Sequence, residues 1–110
     1  TSTASENVIK DILPVLDDFE RALQNMEKNH NEADIQGVTL IFNKLKDTLK
    51  KKGLEEIEAI GAEFNTDEHE ALTMIPAPEE DKKGKVLDVI QKGYKLNGKV
   101  IRFARVVVGN

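Results

Sequence analysis

Among the side chains that could do chemistry, the run His69-Glu70-Ala71-Leu72-Thr73 begins like the His-Glu-x-x-His helix of a zinc protease. Thr73 stands where the second histidine must be, which removes a required ligand. His69 with Asp67, Glu68 and Glu70 then reads as a weak metal cluster or, the stronger reading, as a histidine hydrogen-bonded to the backbone of a turn. The only serines are Ser2 and Ser5, at the very start of the sequence, and there is no cysteine. Serine and thiolate nucleophiles, thiolate metal sites and disulfides are therefore set aside. Neither Gly-x-Gly-x-x-Gly nor Gly-x-x-x-x-Gly-Lys-Ser/Thr occurs, so neither phosphate-cradling loop is present. Paired carboxylates need a pocket to act as acid and base, and the acids here fall in stretches with no pocket pattern. These residues point to a non-enzyme with no catalytic residue, no metal and no cofactor.

Charge is more informative than reactivity. The net charge of −4 hides a split along the chain. Residues 1–53 are nearly balanced. Residues 54–81 carry acids, from Glu55 to Asp81, and no base. Residues 82–110 carry Lys82, Lys83, Lys85, Lys92, Lys95, Lys99, Arg102 and Arg105 against the single acid Asp88. Such asymmetry suggests binding. A basic hairpin could follow a phosphate backbone, which makes a nucleic-acid-binding adaptor the alternative function. Against it stand an acidic whole, with pI ≈ 5.2, and only Tyr94 as an available stacking surface, Phe103 being expected in the core. A purely structural dimerisation module is a third possibility.

The elements that position these groups follow from periodicity. Large apolar residues at Ile9, Ile12, Leu16, Phe19, Leu23 and Met26 have the 3-4 spacing of a left-handed helix pairing. A second stripe, Val8, Val15 and Ala22, repeats every seventh residue. Pro14 inside the pattern predicts a kink or local break, not an end. Asp17 and Arg21 form a favourable i, i+4 pair on the polar face. Asn29-His30-Asn31-Glu32 is a polar connection in which Asn31 can cap a second helix. That helix is patterned by Ile35, Val38, Phe42, Leu45 and Leu49, widened by Leu40 and Ile41. Lys50, Lys51 and Lys52 suit its C-terminal dipole, and Gly53 supplies a left-handed stop. Gly37 inside it either lets a neighbouring helix approach closely or is merely tolerated near the first turn.

Two helices with a short link make an antiparallel hairpin. Two apolar stripes need two neighbours, so a second copy is expected, giving a four-helix bundle across a twofold axis. The expected homodimer contacts are Ile9, Ile12, Leu16, Phe19, Leu23, Val38, Phe42 and Leu45.

After Gly53 the pattern becomes β. Leu54–Ile60, Leu72–Ile75, Val86–Gln91 and one long strand over Val100–Val108 are the expected strands, with Glu79–Gly84 as a charged loop. Asn97-Gly98 between apolar runs is a strong hairpin signal. The fold class is α+β, with a helical dimerisation region over residues 1–53 and a small all-β domain over 54–110. No apolar run approaches the ~18 residues of a membrane span, and no signal peptide is visible. The expected compartment is the cytoplasm.

One stretch is more specific. Residues 64–72 read Phe-Asn-Thr-Asp-Glu-His-Glu-Ala-Leu, followed after a gap by Gly93-Tyr94 and Ile101-Arg102-Phe103-Ala104-Arg105-Val106-Val107-Val108. With Leu13-Pro14-Val15-Leu16-Asp17 and Arg21-Ala22-Leu23 upstream, this long gapped pattern resembles the GrpE family, the nucleotide exchange factors of DnaK-type heat-shock chaperones. The resemblance covers about residues 8–108. Thr66 departs from it, since the family usually has proline there, and this leaves the turn before His69 less constrained. The resemblance implies a homodimeric four-helix bundle with a β-domain on each protomer. It also implies that the family's long paired helix before the bundle is missing, so that this is a C-terminal part of such a protein. It further implies binding to the nucleotide-binding domain of a DnaK-type chaperone and promotion of ADP release, with neither nucleic acid nor membrane as partner. Carried over by position, the chaperone contacts are Arg21, Gln24 and Asn25 on the first helix and Phe64, Ile90 and Val108 in the β-domain. His69, Gly93, Tyr94, Gly98 and Arg102 belong to the motif and read as structural.

Overall fold

In the computed structural model, residues 3–29 and 32–110 are described, Asn29 by its backbone alone. The chain divides into two compact units, Thr1–Leu54 and Glu55–Asn110. The fold is α+β, a helical hairpin followed by β-sheets.

Helices α1 (Thr3–Asn29) and α2 (Glu32–Lys51) make the hairpin. The connection and the Asn31 cap expected from sequence lie outside the described residues. α1 runs on through Pro14. Proline removes the amide that would bond the Lys10 carbonyl, and both residues are exposed, so water can satisfy that oxygen. Ile9, Leu13, Leu16 and Leu23 are buried, Leu13 at 1 % exposure the most completely, while Ile12, Phe19 and Met26 are half-buried. The seam thus centres on Leu13, where the periodicity had been threaded through Ile12. On α2, Phe42 and Leu49 are buried, and Ile35, Val38 and Leu45 half-buried. Phe19 stacks on Phe42 with ring centres 4.9 Å apart and planes 11° from parallel, a contact worth about 1 kcal/mol beyond the area it buries. The Lys46 ammonium lies 4.6 Å from the Phe42 ring centre.

α2 stops at Gly53, whose φ of 101° only glycine adopts without strain, and whose N–H donates to the Lys50 carbonyl at 3.0 Å. A side chain at Gly37 would meet nothing within 4 Å. Close approach of α1 therefore does not explain that glycine.

The second unit holds two three-stranded sheets. One is ordered β1-β4-β5, from Leu54–Glu56, Tyr94–Leu96 and Lys99–Arg102; the other is β2-β6-β3, from His69–Ile75, Ala104–Gly109 and Val86–Gln91. β6 runs parallel to β2 and antiparallel to β3. A single 3-10 turn, Glu80–Lys82, sits in the expected charged loop. Asn97 (φ 50°) and Gly98 (φ 86°) make the expected hairpin turn between β4 and β5.

Two expectations fail here. The long strand over Val100–Val108 is two strands broken at Phe103, each in a different sheet. Gly93 lies against this junction, so near that a Cβ there would stand 2.8 Å from both Ala104 Cα and the Phe103 carbonyl carbon, and only a glycine leaves room for it. Ala104 is also drawn toward the turn before β2, its N–H donating to the Glu68 carbonyl at 3.0 Å. The break turns Phe103 outward, to 43 % exposure, and not into the core. The first expected strand is shorter as well. It ends at Glu56, and the Ile57 N–H instead donates to the Gly93 carbonyl at 2.9 Å.

The core of this unit is aliphatic, as the low aromatic content requires. It comprises Ile57, Ala59, Val86, Ala104, Val106 and Val108, with Phe64, Val89 and Val100 packed against it.

Candidate functional site

The turn at residues 64–69 is held by four hydrogen bonds that converge on Asn65. Its carbonyl accepts from the Glu68 N–H at 3.1 Å and from the His69 N–H at 2.8 Å. Its side-chain Oδ1 accepts from the Asp67 N–H at 2.9 Å, and its own N–H donates to His69 Nδ1 at 3.0 Å. An Asx turn thus constrains a segment that Thr66, in place of the family's usual proline, was expected to leave looser. His69 is the turn-bonded histidine anticipated from sequence. It is buried, and its ring lies 6.0 Å from that of Phe64. Phe64 is half-buried, its own N–H donating to the Gly84 carbonyl at 3.0 Å. Among the described residues, no three His, Asp or Glu side chains converge as metal ligands would.

The segregated charges meet one another. Glu56 pairs with Lys92 at 3.4 Å and Glu70 with Arg105 at 3.2 Å, and Glu68 pairs with Lys95. The hydrogen bond to Glu68 raises the Lys95 pKa above the ordinary lysine value of 10.5; burial opposes it, and the charges of Glu68 and Glu55 add to it. Arg102 Nε donates to the Lys92 carbonyl at 2.9 Å, and its guanidinium lies 5.4 Å from the Tyr94 ring centre.

On α1, Arg21, Gln24 and Asn25 are all exposed, and their i, i+3, i+4 spacing puts them on one face. The Arg21 guanidinium is seated on the Asp18 carboxylate, one turn back, where the sequence had suggested Asp17. On the β unit, Ile90 projects outward at 57 % exposure. Val108 is different: at 2 % exposure it is sealed in the core and offers a partner no surface. Of the eight residues expected at a dimer contact, Ile9, Leu16, Leu23 and Phe42 are already buried in the single chain, and Ile12, Phe19, Val38 and Leu45 are half-buried. The exposed apolar residues of the helices are Val8, Val15, Leu40 and Ile41. On the β unit, Ile60, Leu72, Met74, Ile75 and Phe103 are exposed too, and sequence reasoning singled out none of them as surface. The one available signal was the lack of apolar–polar alternation in Leu72–Ile75.

The GrpE family model matches residues 1–110. The chain belongs to the GrpE family. Among its relatives, Protein GrpE of Parabacteroides distasonis is 55% identical over 108 residues, covering 97% of this chain and 56% of that protein. Protein GrpE of Bacteroides fragilis is 53% identical over 105 residues, 94% of this chain and 54% of that protein. Protein GrpE of Porphyromonas gingivalis is 50% identical over 105 residues, again 94% and 54%. The chain thus spans about half the length of these curated GrpE relatives. Among the described residues, no helix is long and apolar enough to cross a membrane.

Proposed function

We propose that this chain is the chaperone-binding part of a nucleotide exchange factor, which docks on the nucleotide-binding domain of a DnaK-type chaperone and promotes ADP release. The match to the GrpE family along the whole chain carries this reading. The exposed Arg21, Gln24 and Asn25 face and the outward Ile90 and half-buried Phe64 support it as contact surface. Val108 belongs to the core cluster against which Phe64 packs. The mechanism needs no bond chemistry. A factor that binds the open chaperone cleft more tightly than the closed one shifts the population toward open, and reciprocity then weakens nucleotide binding by the same factor.

The active form is a homodimer, residues 1–53 being the dimerisation region and 54–110 the β-domain. Val8 and Val15 on α1 and Leu40 and Ile41 on α2 are apolar side chains that a lone hairpin leaves in water, and a second copy would cover them. The half-buried Ile12, Phe19, Val38 and Leu45 border them in the proposed bundle.

The test is the release rate of a fluorescent ADP analogue from a DnaK-type chaperone, with and without the protein. Acceleration is expected, and no acceleration rejects the proposal.

A further inference from the structure

His69 touches nothing that a partner could reach, yet its bonding is more specific than packing demands. The ring is buried at 4 % exposure. Nδ1 accepts the Asn65 N–H at 3.0 Å, so the ring's proton is on Nε2, and among the described residues that N–H meets no acceptor. A buried N–H without an acceptor costs free energy that an apolar side chain of similar volume would not. What the histidine alone supplies is the acceptor for Asn65. That bond fixes the peptide between Phe64 and Asn65, since the amide it engages is the one directly following Phe64. The His69 N–H and the Asn65 carbonyl, 2.8 Å apart, close the same ring of atoms from the other side. The Phe64 N–H is bound to Gly84, so the backbone on both sides of Phe64 is held. The imidazole also flanks the Phe64 ring, with planes tilted by 33°.

We propose that His69 is a positioning residue for Phe64: it presents the Phe64 ring to the chaperone through the Asn65 amide and makes no contact of its own. This rests on the reading of Phe64 as a chaperone contact. Without the acceptor, the peptide following Phe64 loses its own tie to the turn, although the other three bonds at Asn65 remain, and the ring is held less tightly in its pose, while the aliphatic core beneath is unchanged.

A double-mutant cycle tests this in the ADP-analogue release assay, at a temperature where circular dichroism shows every variant fully folded. His69→Leu fills the volume without an acceptor, and His69→Gln restores one. In the Phe64 background, His69→Leu is expected to raise the concentration for half-maximal release about fivefold, the equivalent of one hydrogen bond, and His69→Gln to recover most of it. In a Phe64→Ala background, His69→Leu is expected to add nothing. An equal loss in both backgrounds, or no loss in either, overturns the proposal. If Phe64→Ala alone leaves release unchanged, it is the contact reading of Phe64 that fails, and this proposal falls with it. Should His69→Leu not fold, the wild-type protein still decides the point. Long-range imidazole ¹⁵N–¹H correlations are expected to place the proton on Nε2, and a proton on Nδ1 would be fatal, because Nδ1 could not then accept from Asn65.

Discussion

Gly93→Ala probes the feature that divides the second unit into two sheets. The new Cβ would stand 2.8 Å from Ala104 Cα, 2.8 Å from the Phe103 carbonyl carbon and closer still to the Ala104 amide nitrogen. All three are backbone atoms, so no side-chain rotation relieves the clash. The β5–β6 junction must move, and with it two hydrogen bonds, Ala104 N–H to Glu68 at 3.0 Å and Ile57 N–H to Gly93 at 2.9 Å. Overpacking costs about 1–3 kcal/mol and a weakened hydrogen bond about 1 kcal/mol, which together predict a loss of about 2–4 kcal/mol. With a urea slope of about 1 kcal/mol/M for so small a unit, the midpoint should fall by about 2 M or more. The assay needs no label, because the chain has one tyrosine and no tryptophan, and Tyr94 is buried beside Gly93. Gly98→Ala is the control. Its φ is 86° but its surroundings are open, so only left-handed strain of about 1 kcal/mol is expected. A Gly93→Ala midpoint no lower than that of Gly98→Ala would refute close approach as the reason for this glycine.

Leu13→Ala should destabilise the helices by about 2–5 kcal/mol, read from thermal loss of helical ellipticity, because Leu13 is almost wholly buried. Leu40→Ala should change the stability of dilute protein by less than about 0.5 kcal/mol yet weaken self-association in sedimentation equilibrium, since Leu40 is exposed in the single chain. Because the folded-state Lys95 pKa is raised, its stabilisation is fully present below the ordinary value of 10.5 and is lost as pH rises above it. The urea midpoint read by circular dichroism should therefore fall more steeply in that alkaline range for the wild-type protein than for Lys95→Met. Arg21→Ala should weaken chaperone association in a titration monitored by anisotropy while leaving the sedimentation behaviour of the protein alone unchanged, because the Arg21 side chain is exposed and its Asp18 pair is a surface one.

Much of the fold was legible because it follows from local rules. The 3-4 spacing gave both helices, Gly53 their end, and Asn97-Gly98 the β4–β5 hairpin. The β3 limits Val86–Gln91 coincide with the β-branched run. What could not be read depends on contacts far apart in sequence. Ile12 and Leu13 both satisfy a 3-4 pattern from Ile9, and only packing decides that Leu13 is the more buried. The break at Phe103 packs against Gly93, ten residues earlier, and the parallel β2–β6 pairing leaves no local signature. Of the residues carried over as contacts, Arg21, Gln24, Asn25 and Ile90 are exposed, whereas Val108 is sealed in the core. One face of a strand cannot be assigned inward or outward from alternation when Val106, Val107 and Val108 are all valine.

The charge split fits the parallel pairing. Each of the three pairs Glu56–Lys92, Glu68–Lys95 and Glu70–Arg105 joins an acid from the first part of the β unit to a base from the second. Ion pairs this accessible to water contribute far less than a buried cluster of aliphatic side chains, so these pairs select an arrangement more than they stabilise it. The selection is most visible between β2 and β6, where Glu70 and Arg105 are direct register partners. A slip of one residue would set Glu70 beside Ala104 or Val106, strand the guanidinium, and turn the valines of β6 away from the core. The bases engaged in these pairs are, by the same geometry, partly neutralised toward a phosphate backbone.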